Sequence, residues 1–93
     1  MYLLIVYDIP EDKRRLKIDK ALSAYGIRVN LSVFEVTVKS EAKYKLLIDN
    51  LNTVINMKED SIRIYPLNKL TVVNALELGK RRQPFVKESG YVF

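Results

Sequence analysis

Residues 1–7, Met-Tyr-Leu-Leu-Ile-Val-Tyr, form an apolar run without a charged side chain until Asp8-Ile9-Pro10 stops them. The run is rich in β-branched and aromatic residues and too short for a buried helix, so it predicts a central strand over 2–7 covered on both faces. A carboxylate at the mouth of such a strand, just ahead of Lys13-Arg14-Arg15-Leu16-Lys17, faces a bank of cations. Asp8 can hold a hard metal ion near phosphate, or it can cap the Asp-Ile-Pro turn through local backbone amides.

The missing residue types narrow the chemistry. With no Cys and no His, disulfides, thiolate nucleophiles, zinc sites of the common kind and the usual general base are all excluded. Any metal is held by oxygen ligands, which favours magnesium, manganese or calcium. Sixteen Lys+Arg against 11 Asp+Glu leave a net charge of +5, which suits a polyanionic partner or simply a soluble surface. Ninety-three residues, 48% of them apolar, make one domain with little surplus stability, so a dimer is expected. No stretch has the length to span a bilayer and the apolar start lacks a basic leader, so the expectation is a soluble cytoplasmic protein without a membrane partner.

After Pro10 a helix opens near Glu11-Asp12, and Ile18, Ala21, Leu22 and Tyr25 give it one apolar stripe. Gly26 is expected to end it in the left-handed capping conformation. From Arg28 to Lys39 the pattern alternates, but its parity slips: Val29, Leu31 and Val33 share one face, Phe34, Val36 and Val38 the other. Strand side chains have period two, so the slip marks a bulge or a change of strand near Ser32-Val33. Ser40-Glu41 opens a second helix with Tyr44, Leu47, Ile48, Leu51 and Val54 on its buried stripe, and Ser61–Tyr65 alternates as a strand closed by Pro66. Strand, helix, strand, strand, helix, strand is the α+β ferredoxin-like arrangement, with both helices on one face of an antiparallel sheet. Residues 1–67 form that core. Residues 68–93 add a fifth apolar segment over 70–78, expected as a strand, a basic Lys80-Arg81-Arg82 loop, and a Tyr91-Val92-Phe93 tail expected to dock on a partner subunit.

A single Asp8 is too little for magnesium, which takes about six oxygens. A two-fold dimer would bring Asp8 from each subunit to one axis, where two carboxylates repel unless a cation lies between them. Lys13, Lys17 and Lys20 share an outward face of the first helix, flanked by Arg14 and Arg15, and such a stripe either tracks phosphates or only solvates. Arg28 can stand beside whatever Asp8 holds, or pair with Glu35 or Asp60. Tyr7 and Phe34 read as core aromatics that could stack a base if exposed, and Ser32 has no base to activate it. Arg63 and the Lys80-Arg81-Arg82 loop are further candidate phosphate contacts. A monomeric RNA-recognition module on the same topology is a separate possibility, but Ile5-Val6-Tyr7 and Val36-Thr37-Val38 lack its Gly- and Phe-containing aromatic pattern.

Four segments occur in order: Tyr7-Asp8-Ile9 ending the first strand, Lys13–Lys17 opening the helix, Tyr25–Glu35, and Glu59–Tyr65. Together they resemble the CRISPR-associated endoribonuclease family, the small second core protein of CRISPR adaptation that accompanies the spacer integrase. The resemblance covers residues 1–67, and residues 68–93 match only loosely. It implies a symmetric ferredoxin-like homodimer packed through its sheets, the spacer integrase as partner, and Asp8 of each subunit as ligand of Mg2+ or Mn2+. It implies either metal-dependent cleavage of RNA or DNA or a non-catalytic scaffold on RNA or double-stranded DNA. Residues linked to nuclease activity in the family fall on Tyr7, Asp8, Arg15, Lys17, Arg28, Ser32 and Phe34. Lys17 stands where some members have Arg, and Asn30 where Gln is usual.

Overall fold

The computed structural model describes residues 1–80. The first apolar run forms β1 (Tyr2–Asp8), and its central place follows from what pairs with it. On one side lies β3 (Val33–Thr37), on the other β4 (Ser61–Leu67), both antiparallel, with β2 (Gly26–Asn30) outside β3. The helices α1 (Asp12–Ser23) and α2 (Glu41–Val54) cross over one face, giving the sheet order β2-β3-β1-β4 of the expected split βαβ arrangement.

Strand parity decides which side chains meet the helices. Leu3, Ile5 and Tyr7 of β1 join Phe34 and Val36 of β3, and this face is closed by Ile18 and Leu22 of α1 and Leu47 and Leu51 of α2. Each fully buried aliphatic side chain stabilises the fold by about 1.5–3 kcal/mol relative to exposure. The expected stripes are the observed ones except at Ile48, which is half-buried outside this core, and Ala21, Tyr25, Tyr44 and Val54 pack around the core. Ser40 caps α2 through a hydrogen bond that its hydroxyl accepts from the Lys43 amide at 3.2 Å.

The opposite parity of β1 behaves differently. Tyr2, Leu4 and Val6 are only half-buried, and no helix of the core covers them. Across from them stand Leu67, Tyr65 and Arg63 on β4, and Thr37, Glu35 and Val33 on β3. Among the described residues, then, α1 and α2 cover one face of β1 only, and on the other face the Lys69 ammonium lies 5.5 Å from the centroid of the Tyr2 ring.

Gly26 is not the left-handed cap expected of it. The helix ends at Ala24 in an ordinary right-handed conformation, and Gly26 already belongs to β2. Its reason is proximity: a Cβ there would stand 1.9 Å from the Glu35 carbonyl oxygen. The parity slip resolves into two irregularities. Arg28 faces Phe34 while Asn30 faces Val33, which leaves Val29 as a bulge, and Leu31-Ser32 forms the hairpin tip with Ser32 at φ 59°.

Two expectations near the end of the core are corrected. Pro66 does not close β4, which continues to Leu67, because an edge strand needs only one hydrogen-bonding side. The strand expected over 70–78 is instead the short helix α3 (Lys69–Val73), followed by irregular chain to residue 80. Asn68 starts the helix by accepting the Thr71 amide at 2.8 Å, and Val72 is buried. The β-branched run at 71–73 reads as strand by propensity, but that local cap overrides it. Arg81, Arg82 and the Tyr91-Val92-Phe93 tail lie outside the described residues. Among those described, no helix is long and apolar enough to cross a membrane.

Candidate active site at the end of the first strand

Where β1 emerges from between its neighbours, Tyr7, Asp8, Ile9 and Pro10 meet Arg15 and Asp19 of α1 and Arg28, Leu31 and Ser32 of the β2–β3 hairpin. They line an open cleft of about 370 Å³. The hairpin tip is held to the strand by the Tyr7 amide, which donates to the Ser32 carbonyl at 3.0 Å. Alternation then sends neighbouring side chains to different sides: Tyr7 turns inward under the helices, while Asp8 is exposed on the parity of Leu4 and Val6.

The cations of the cleft are already positioned. Arg15 donates one guanidinium N–H to the Ile9 carbonyl at 3.0 Å and another to the Asp12 carboxylate. Arg28 donates to Asp19 at 2.9 Å and lies over the ring of Phe34, 5.9 Å from its centroid. Phe34 is itself buried, with the Tyr7 ring 6.2 Å away. The Tyr7 hydroxyl donates to the other Asp19 oxygen. Burial, and then that hydrogen bond, hold the Tyr7 phenol above its ordinary range, so it is a proton donor and not a base at neutral pH.

Of the two carboxylates here, Asp19 is committed and Asp8 is not: the Asp8 side chain makes no hydrogen bond or ion pair with any described residue. It therefore does not cap the Asp-Ile-Pro turn. Among the described residues no three acids, histidines or cysteines gather as a metal cluster. One exposed carboxylate is too little to hold magnesium by itself but fits as one of its ligands, with a second carboxylate, waters or phosphate oxygens completing the shell.

The remaining candidates divide. Lys13, Lys17 and Lys20 are exposed on α1, and none of them lines the cleft. Arg14 is engaged elsewhere, by Glu11, Glu59 and Asp60. Arg63 on β4 stands opposite Val6 of β1, on the side of the sheet away from α1 and α2, 3.4 Å from the Tyr65 hydroxyl. Arg63 and the lysines of α1 therefore lie on opposite sides of the sheet. Lys80 is exposed at the last described position. The sequence reading missed Asp19, although it is the one acid beyond the first turn of an otherwise basic helix. Arg28 pairs with it, and not with Glu35 or Asp60.

The sequence profile described as CRISPR associated protein Cas2 matches residues 1–74. This chain belongs to the Cas2 family. A protein named CRISPR-associated endoribonuclease Cas2 3, from Synechocystis sp., is 40% identical over 93 residues, covering 99% of this chain and 98% of its own. The crystal structure of Streptococcus pyogenes Cas2 superposes with a TM-score of 0.74 at 34% identity, over 85% of this chain and 100% of that one. A chain of a structure described as a partial Cas6-RT-Cas1–Cas2 complex superposes with a TM-score of 0.71 at 36% identity, over 83% and 89% of the two chains. The stretch matched to the Cas2 family includes the whole cleft. The open sheet face also differs from that of an RNA-recognition module: β3 presents Val33, Glu35 and Thr37 there, with no aromatic, and Lys69 lies over the Tyr2 ring at 5.5 Å.

Proposed function

We propose that two copies of this chain pack through their open sheet faces and act on nucleic acid in CRISPR spacer acquisition, as a magnesium- or manganese-dependent phosphodiesterase. The observation that carries this reading is the position of Asp8: an exposed, uncommitted carboxylate on the face away from α1 and α2, beside a cleft with two positioned guanidinium groups. A second copy on that face puts its own Asp8 within reach, and the pair would hold the ion. When bound, the ion supplies charge neutralisation at a phosphate and lowers the pKa of water.

The chain's own residues supply the rest. Arg15 and Arg28 keep N–H donors for phosphate oxygens and stabilise the charge that builds there. Water gives up a proton to solvent as it adds to phosphorus, the bond to the leaving sugar oxygen breaks, and that oxygen takes a proton from solvent. No histidine is needed, and Tyr7 stays a donor throughout.

A second reading, a non-catalytic nucleic-acid scaffold for the spacer integrase, draws support from the ion pairs that already bind Arg15 and Arg28, and from the Cas1–Cas2 complex to which the chain is similar. One paired assay separates the two. Wild type and Asp8→Asn are incubated with RNA and with duplex DNA in magnesium or manganese. The nuclease reading expects cleavage by the wild type, and none by a variant that still binds. If the wild type cleaves neither substrate, the scaffold reading holds. If Asp8→Asn cleaves at an undiminished rate, the activity belongs elsewhere.

A further inference from the structure

Arg28 stands at a poor place for a residue that must meet a phosphate accurately. It sits on β2, an edge strand of the sheet among the described residues, immediately before the bulge at Val29, and its side chain is 46% exposed. A long cation in such a setting samples many rotamers unless something outside its own strand restrains it. Two groups do so: the Phe34 ring beneath the guanidinium, and Asp19 across from it on α1.

Asp19 is itself unusually well fixed for a helix carboxylate. Its side chain is only 15% exposed, and its two oxygens face different partners, Oδ1 the Tyr7 hydroxyl and Oδ2 the Arg28 guanidinium. Tyr7 belongs to the central strand and is buried. The chain of contacts thus runs from the core, through Tyr7 and Asp19, to a cation on the edge. Arg28 spends one N–H on Asp19, and its other donors have no hydrogen-bond partner among the described residues while the side chain lines the cleft.

We infer that Asp19 is a positioning residue, which holds Arg28 over Phe34 so that its remaining N–H groups face a phosphate beside Asp8. The inference rests on the phosphate reading of the cleft. Its rival is electrostatic: a carboxylate so near the cleft would merely repel phosphate, and removing it would tighten binding.

Two measurements on Asp19→Ala, Arg28→Ala and the double variant decide between them. The first is nitrogen relaxation of the Arg28 Nε–Hε group in the free full-length protein. A rigid group in the wild type that becomes mobile in Asp19→Ala is expected, and equal rigidity in both overturns the proposal. The second is affinity for a short DNA duplex at low salt. Asp19→Ala is expected to weaken it by about threefold to tenfold, a size typical of coupled neighbours, and to change nothing further once Arg28 is Ala. Tighter binding by Asp19→Ala, or an equal loss in both backgrounds, overturns it. A wild type that binds no duplex removes the phosphate reading, while the relaxation data still decide for or against the hold on Arg28.

Discussion

Arg14 and Asp60, 46 residues apart, meet as a fork and a carboxylate: Nε donates to Oδ2 at 2.7 Å and Nη2 to Oδ1 at 3.1 Å. The pair ties the first turns of α1 to the segment that turns from α2 into β4, and the Asp60 side chain has no exposed surface. Glu11 and Glu59 approach the same guanidinium, and the Asn56 amide donates to Asp60 at 2.8 Å. A residue that reads as a phosphate contact in the sequence is thus a clamp between two parts of the fold.

That clamp has a pH signature. The hydrogen bonds from Arg14, supported by the Asn56 amide, hold the Asp60 carboxyl below its ordinary range despite burial. A carboxylate lowered on folding contributes stability that is complete above its unfolded value, about 4, and is lost as pH falls through the folded value. Asp60→Asn is expected to lower Tm at neutral pH and to flatten the acid limb of a Tm-against-pH curve. Arg14→Lys is expected to lower Tm too, since an ammonium cannot reproduce the fork. An unchanged acid limb in Asp60→Asn would show that other carboxylates govern it.

Gly26→Ala is expected to destabilise the protein by about 1–3 kcal/mol, the usual cost of forcing atoms into a packed place. The new Cβ would lie 1.9 Å from the Glu35 carbonyl oxygen and 2.8 Å from the Val36 Cα, both backbone atoms that cannot swing aside. Gly26→Asn should fare no better, although Asn tolerates left-handed backbone well. Urea midpoints for both variants check this, and a well-tolerated Asn would restore the capping explanation.

Much of the fold was legible because its signals were long-range periodicities. Both helix stripes, the central strand and the order of elements follow from the spacing of residues such as Ile18, Leu22, Leu47 and Leu51. The errors came where a local contact outweighed composition. Asn68 turns a β-branched run into α3, and the approach of Glu35 explains Gly26 better than helix-ending habit does. In the site, Asp8 was visible as the first charge after the apolar run, Arg15 as part of the basic helix start and Arg28 as a cation just past Gly26. Asp19 and the clamp on Arg14 were not, because pairing across elements needs the register of α1 on the sheet.

The proposed dimer makes a sharp demand on Leu4. It lies half-buried on the face away from α1 and α2, opposite Tyr65 and Glu35, with Val6 beside it. Leu4→Asp is expected to leave the far-ultraviolet circular dichroism of the fold in place and to yield a monomer by light scattering at micromolar concentration. A charge buried without a partner at an interface is costly, whereas the same charge on a free surface costs little. A wild type that is already monomeric, or a Leu4→Asp variant that stays dimeric, would remove this face as the interface.

The exposed lysines of α1 make a quantitative claim about binding. Lys13, Lys17 and Lys20 stand clear of the cleft and are not engaged as Arg14 is. If they track a duplex backbone, each contact releases counterions and adds about 0.9 to the slope of log affinity against log salt. Replacing all three by Ala is therefore expected to reduce that slope by about 2–3 and to weaken binding similarly on unrelated sequences. Asp8→Asn, which alters no lysine, should keep the wild-type slope in magnesium-free buffer. A triple variant whose slope equals that of the wild type would move the phosphate path off α1.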